Sequence, residues 1–278
     1  IGVDMGPLRS VGGEKGRQGD VPAVGLSGMG GDAQPVAEIE WEGLSRQPVF
    51  LDIGLGKKAA YLPISYNRGE GRYTLKIQYG EYRWTVEFEV TGTSYERADI
   101  RRDNSDAQLV AARSDSAIVE YQNAIYPLYE TADSERKWAI SFARPTSGST
   151  ITEYGVRQYF DGSKNYVGHT GVDIAGEVGD KVTSPSAGRV VFADELKNTG
   201  YTVVIEHGGG VKSYFYHMSG IEVEVDDVVE RGEEIGQVGQ TGDAATPHLH
   251  YEVRIANQSI NPSLLFMGES GLFFEGQE

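Results

Sequence analysis

Five histidines lie in this chain, at positions 169, 207, 217, 248 and 250, and nothing before Gly168 can supply an imidazole. Imidazole suits metal binding and proton transfer near neutral pH, so such chemistry falls to the C-terminal part. His248-Leu249-His250 sits in a stretch that alternates to Ile255 as a strand does. Positions i and i+2 of a strand project from one face, so both rings look the same way. His169-Thr-Gly-Val-Asp173 adds an imidazole and a carboxylate four residues apart, with Gly168, Gly171 and Gly176 favouring strand and turn over helix. The chain has no cysteine. Any metal must therefore be held by His, Asp or Glu, the ligand types with which zinc forms sites that leave a fourth position for water. His217 ends the alternating run Ser213–His217, and Glu252 continues the face of His248 and His250. Either could serve as a general base, and spacing does not choose between them.

Two other motifs lead elsewhere. His207 opens a His-Gly-Gly-Gly tract of the kind that builds an oxyanion hole in lipases, but no Gly-x-Ser-x-Gly elbow exists in the chain. That tract reads as a hairpin tip. The glycines from Gly232 to Gly242 lack the Gly-x-Gly-x-x-Gly order of a dinucleotide site and read as tight β turns.

The elements that must carry these residues are short strands separated by glycine, from Trp138 to about Met267. Before them, Asn104–Tyr129 places Leu109, Val110, Arg113, Ala117, Ile118, Tyr121, Ile125 and Leu128 at spacings of three and four, the mark of a helix or helical pair. Ser105 or Asp106 could cap its start, and Pro127 is expected to mark its end. Earlier still the period is two. Tyr73–Tyr79 and Tyr82–Val90 alternate across Gly80–Glu81 as a hairpin with one buried face. The expected fold is mainly β, in five parts. Residues 1–34 form a flexible or loosely docked Gly-rich lead-in that pairs one short stretch around Val21–Leu26, and 35–95 a small Ig-like antiparallel β-sandwich that acts as a spacer or wall-positioning module. A helical linker occupies 96–137. Residues 138–268 form an antiparallel β-sheet domain of the barrel-sandwich-hybrid kind, and 269–278 a tail.

Composition narrows the function classes. The chain has 278 residues, 25 basic and 41 acidic, for a net charge of −16. So acidic a surface repels phosphodiester backbones and anionic bilayers, which argues against nucleic-acid binding. No apolar run approaches the roughly 20 residues that span a bilayer. The first residue is Ile1, and a signal or anchor segment is expected upstream of it.

In order along the C-terminal part stand Ile151–Arg157, Gly168-His-Thr-Gly-Val-Asp-Ile-Ala175, Val182–Val190, Gly200–His207, Tyr214-Phe-Tyr-His217, Gly232-Glu-Glu-Ile-Gly236, Thr241-Gly242, Pro247-His-Leu-His-Tyr-Glu252 and Asn261-Pro262. This set resembles the lysostaphin/LytM-type zinc endopeptidases that cut peptidoglycan, whose domain has a duplicated hybrid motif fold. The resemblance implies zinc held by His169, Asp173 and His250, with His217 and His248 as catalytic imidazoles. It leaves Glu252 a structural role. It also implies peptidoglycan stem peptides or crossbridges as substrate, and an extracytoplasmic place of action in the cell envelope or outside it. One departure stands out: Thr246 occupies a position usually held by glycine, which bears on the loop beside the cleft and removes no ligand.

Two rival classes share the broad fold. Some relatives have lost zinc ligands and act only as scaffolds or activators of envelope assembly, whereas all five functional positions are present here. A sugar-phosphotransferase carrier would use paired histidines and would not need Asp173. Which crosslink is cut is expected to depend on the loops Arg157–Gly168, Lys197–Tyr201 and Asp243–Thr246. Arg157, Lys164 and Lys197 favour crosslinks that carry carboxylates, of the D,D or L,D type, over glycine bridges.

Overall fold

The alternation at 71–91 folds into an antiparallel pair, Gly71–Tyr79 with Tyr82–Thr91, with Tyr79 opposite Tyr82. Leu75, Ile77, Phe88 and Val90 supply its buried face. The structure, a computed structural model, describes residues 9–11, 15–26, 36–40, 47–54, 57–79, 82–269 and 272. Its turn at Gly80–Glu81 lies outside them. The pair belongs to a four-stranded sheet with Lys15–Arg17 and Val36–Glu40 on its edges. A second four-stranded sheet runs Arg9–Val11, Ala23–Leu26, Lys57–Tyr61, Leu51–Gly54. Side chains from both regions, among them Val24, Phe50, Ala60, Ile64, Leu75 and Phe88, make one apolar cluster, the filling of a β-sandwich.

In the lead-in expected at 1–34, the paired stretch around Val21–Leu26 is present as the strand Ala23–Leu26, and the structure adds two further strands before it. Residues 9–26 contribute three strands, and Lys15–Arg17 pairs parallel with Glu89–Thr91, the one parallel pairing of the sandwich among the described residues. Glycine there serves close packing and not freedom: a Cβ on Gly16 would lie 2.7 Å from both Ile64 and Phe88. Nor is the sandwich a free spacer. Its Val21, Ala23, Leu51, Ala59 and Tyr61 share a continuous core with Trp138, Phe142, Val172, Phe215 and Tyr251 of the C-terminal sheet.

The helical stretch is a pair, α1 (Ala107–Ala112) and α2 (Asp115–Tyr129). Asp106 caps α1 by accepting from the amides of Gln108 and Leu109, and Ser114 caps α2. Pro127 does not end α2, which runs two residues further. The break at Arg113–Ser114 shifts the apolar stripe, so Val110 and Ile118, expected inside, are exposed, while Ile125 and Tyr129 pack with Leu196, Val204, Tyr214 and Tyr216 on the C-terminal sheet. The expected linker also contains an unforeseen strand, Arg97–Ile100, parallel to Arg157–Phe160, which in turn pairs with Val167–Gly168. At the far end, Asn261 caps α3 (Pro262–Met267) with proline in its first turn. In the expected tail, Leu272 is fully buried and its carbonyl accepts from the Trp138 indole.

The C-terminal sheet is large, antiparallel and open, without closing into a barrel. Its main path runs Thr150–Thr152, Val172–Ala175, His248–Ile255, Val211–Ile221, Gly200–Glu206, Gly188–Leu196, Val228–Val229. Val211–Ile221 is its hub: the first half pairs with His248–Ile255 and the second with Glu234–Val238. Val203, Ile205, Phe215, Leu249, Tyr251 and Val253 of the central strands are inaccessible to solvent. Burial of several such side chains, each contributing about 1.5–3 kcal/mol, makes the centre of the sheet a firm platform.

Candidate metal centre

Three adjacent strands bring the chemistry together. Register sets Asp173 directly opposite His250, and His250 directly opposite Tyr216. Directly paired residues share a face, so carboxylate, imidazole and phenol ring stand in a row. His248 lies two residues from His250 and shares that face. His169 approaches from the turn before Val172–Ala175. Its Nε2 is 3.0 Å from Asp173 Oδ1 and 3.1 Å from His250 Nδ1, and His250 Nδ1 is 2.8 Å from the same carboxylate oxygen. Among the described residues these three form the group that could hold a metal ion.

His217 should point to the opposite face, because it follows Tyr216 in the strand. It does not, because its φ is +65°, a left-handed conformation rare for a side chain of this size. Pairing with His248–Ile255 stops at Tyr216, and the pairing with Gly200–Glu206 carries an irregularity between Tyr201 and Val203. Such irregularities re-aim side chains near functional sites. The His217 ring thereby faces His248 at 4.9 Å between centroids and His250 at 6.3 Å.

Each ring is oriented by a backbone carbonyl. His169 Nδ1 donates to Glu153 O at 3.0 Å, His217 Nδ1 to Thr241 O at 2.8 Å and His248 Nδ1 to Thr246 O at 2.8 Å. A carbonyl can only accept, so Nδ1 carries the proton in all three. In a neutral ring Nε2 is then a lone pair. The Nε2 of His169 thus faces Asp173 Oδ1 at 3.0 Å, a contact satisfied either by a proton on Nε2 of the imidazolium or by a metal ion shared with the carboxylate. Burial works against charge on His169, yet Asp173 outweighs it and raises the ring's pKa. Against its own burial, the Asp173 carboxyl is held well below the usual range by His169 and His250. Burial, with the His248 and His250 rings adding to it, pushes His217 down to about 3. The donor set, two imidazole nitrogens and a carboxylate oxygen, matches zinc chemistry.

The remaining candidates separate cleanly. Glu252 is buried and ion-paired to Arg254, whose guanidinium lies over the Tyr129 ring. His207 is also buried. It donates to Ala187 O, contacts Ser213 Oγ and packs against Phe142. The glycines after it serve a structural end, since the amides of Gly208 and Gly210 donate to the Glu206 carboxylate. Of the three cations in the framing loops, Lys197 lies 3.8 Å from Glu120 of α2, whereas Arg157 stacks on Tyr166. Spacing gave no hint of Tyr216, whose ring lies parallel to His250 within 13° at 5.6 Å and whose hydroxyl meets that of Tyr121. Nor could it reveal the three carbonyls, because side-chain identity carries no signal for a backbone acceptor.

Fold and site together point in the same direction as the comparisons with known proteins. Residues 167–262 match the model of peptidase family M23. A 94-residue stretch is 39% identical to the DD-carboxypeptidase/endopeptidase Mpg of Neisseria meningitidis, covering 34% of this chain and 22% of that protein. A 119-residue stretch is 32% identical to the murein hydrolase activator NlpD of Escherichia coli, covering 42% of this chain and 29% of that one. The chain therefore spans less than a third of the length of these relatives. A Pseudomonas aeruginosa crystal structure assigned to peptidase M23 superposes with a TM-score of 0.67 at 21% identity, over 90% of this chain and 93% of that one. That likeness concerns the fold alone, and it extends through the N-terminal sandwich.

Proposed function

We propose that this protein is a zinc-dependent endopeptidase that hydrolyses peptide crosslinks of bacterial peptidoglycan, acting outside the cytoplasm. The observation that carries the reading is the convergence of His169, Asp173 and His250 on one point, with the Nε2 edges of His217 and His248 beside it. His169, Asp173 and His250 would hold the metal. Zinc bound there would lower the pKa of a water to about 7 and polarise the scissile carbonyl. His217, kept neutral by burial, takes the proton of the attacking water at Nε2. His248, its Nδ1–H set by the Thr246 carbonyl, would stabilise the tetrahedral oxyanion or protonate the leaving amine as the imidazolium, whose Nε2 also carries a proton. Such proton transfers typically contribute about 10²–10⁴-fold each. Arg157 and Lys164 favour crosslinks bearing carboxylates, the D,D or L,D type, over glycine bridges.

The test is digestion of purified sacculi of both crosslink types by the zinc-loaded protein, with new amino termini identified by mass spectrometry. Termini from carboxylate-bearing crosslinks are expected. Glycine termini alone would reverse the substrate assignment and leave the hydrolytic mechanism intact. The likeness to NlpD carries a second reading, an activator built on the same fold. Absence of turnover on every sacculus type, with one zinc bound per chain, would select it.

A further inference from the structure

The helical pair lies outside the stretch that matches the peptidase family, yet it reaches the loop that orients His217. That loop, Gln240–Asp243, supplies the Thr241 carbonyl to which His217 Nδ1 donates. The carbonyls on either side of Thr241 are both taken by one side chain of α1: Gln108 Nε2 donates to Gln240 O at 3.0 Å and to Gly242 O at 3.1 Å. At the other end of α1, Arg113 Nε pairs with Asp243 Oδ1 at 2.8 Å, and both side chains are largely covered, at 18% and 28% exposure. Arg113 is itself held, through Nη1, by Asp103 O. The opposite loop joins the same clamp, since Asn198 donates from its side chain to Ala112 O and accepts from the Asp243 amide. Leu109 buries the helix between these contacts.

We propose that Gln108 and Arg113 are positioning residues for His217. By holding the carbonyls of Gln240 and Gly242 and the side chain of Asp243, they fix the direction of the Thr241 carbonyl between them. That carbonyl keeps the proton of His217 on Nδ1 and its lone pair on Nε2, toward His248 and the metal ligands. Without the clamp, the loop could turn that carbonyl away and His217 would populate the tautomer whose Nε2 is protonated and cannot act as a base. The inference rests on the reading of His217 as the general base, but its first readout does not.

The experiment uses the zinc-loaded full chain with ¹⁵N-labelled histidine, in which only five rings contribute signals. Wild type is expected to show His217 in the Nδ1–H tautomer. Gln108→Glu, which sets a carboxylate against two carbonyls at equal size, and Arg113→Ala should each convert this signal to a tautomer mixture. The other four rings should be unchanged, with zinc still near one per chain. Arg113→Lys should restore the wild-type signal in part. On a soluble crosslinked muropeptide, kcat should fall about five- to tenfold, the worth of roughly one hydrogen bond, with KM within about twofold. An unchanged His217 tautomer in both variants overturns the proposal, whatever the activity. So does a change spread over all five rings, which would report general loosening. If wild type itself shows no turnover, the endopeptidase reading fails while the tautomer comparison still decides this one.

Discussion

At the scale of single residues, the proposed mechanism separates holding from reacting. Replacing Asp173 by Asn removes the anion that two imidazoles surround, and zinc content by elemental analysis should fall well below one per chain. Replacing His217 or His248 by Ala should leave zinc near one per chain and lower kcat by about 10²–10⁴-fold on crosslinked muropeptides. Retention of most activity in either variant would refute its assigned role. His207 provides a separate test, of stability. Burial lowers its pKa to about 4, against an ordinary 6.5. Between those values the unfolded chain binds a proton that the folded chain refuses. Its contribution is therefore complete above pH 6.5 and is lost as pH falls to 4, up to about 3 kcal/mol. Urea midpoints between pH 7 and 4.5 should fall with this slope in wild type and less steeply in His207→Asn.

At the scale of elements, periodicity served well where strands have one buried face, and less well where the chain bends. His248–Ile255 has the bounds its alternation predicts because every second side chain meets the same core. The position of His217 could not be read from alternation, because a left-handed residue at the point where the strand changes partners breaks the rule that alternation assumes. Glycine misled in another way. Ahead of Val21 it suggested a flexible or loosely docked leader, but a low count of large side chains is equally what a tightly apposed strand requires, and Gly16 is such a case. Gly168 is a second: the ring of Tyr66, from the N-terminal sandwich, lies 2.0 Å from where its Cβ would be. Gly168→Ala should therefore displace Tyr66, cost about 1–3 kcal/mol in chemical denaturation and disturb His169 next to it. Unaltered stability in that variant would show that the Tyr66 contact yields without strain.

At the scale of the whole molecule, the sandwich and the C-terminal sheet share one core, so the chain is expected to melt as a unit. Removing residues 1–95 uncovers Trp138, Phe142 and Tyr154, and the remaining fragment should lose thermal stability and tend to aggregate. A fragment that melts at the wild-type temperature would restore the picture of an independent spacer. Among the described residues no helix is long and apolar enough to cross a membrane.

The register that sets Asp173 against His250 also has a kinetic consequence. The ligands His169 and His250 are 81 positions apart along the chain, and they meet only when His248–Ile255 slides between two strands that precede it. Non-local pairings of this kind form late, after a large loop-closure cost. No partial chain ending before that strand could hold a metal with these three proposed ligands, and an ion bound there would enter a structure already close to native. Zinc should therefore slow unfolding and leave the refolding rate nearly unchanged in denaturant-jump kinetics. The ion would act as a latch on the finished fold, with no part in nucleating it.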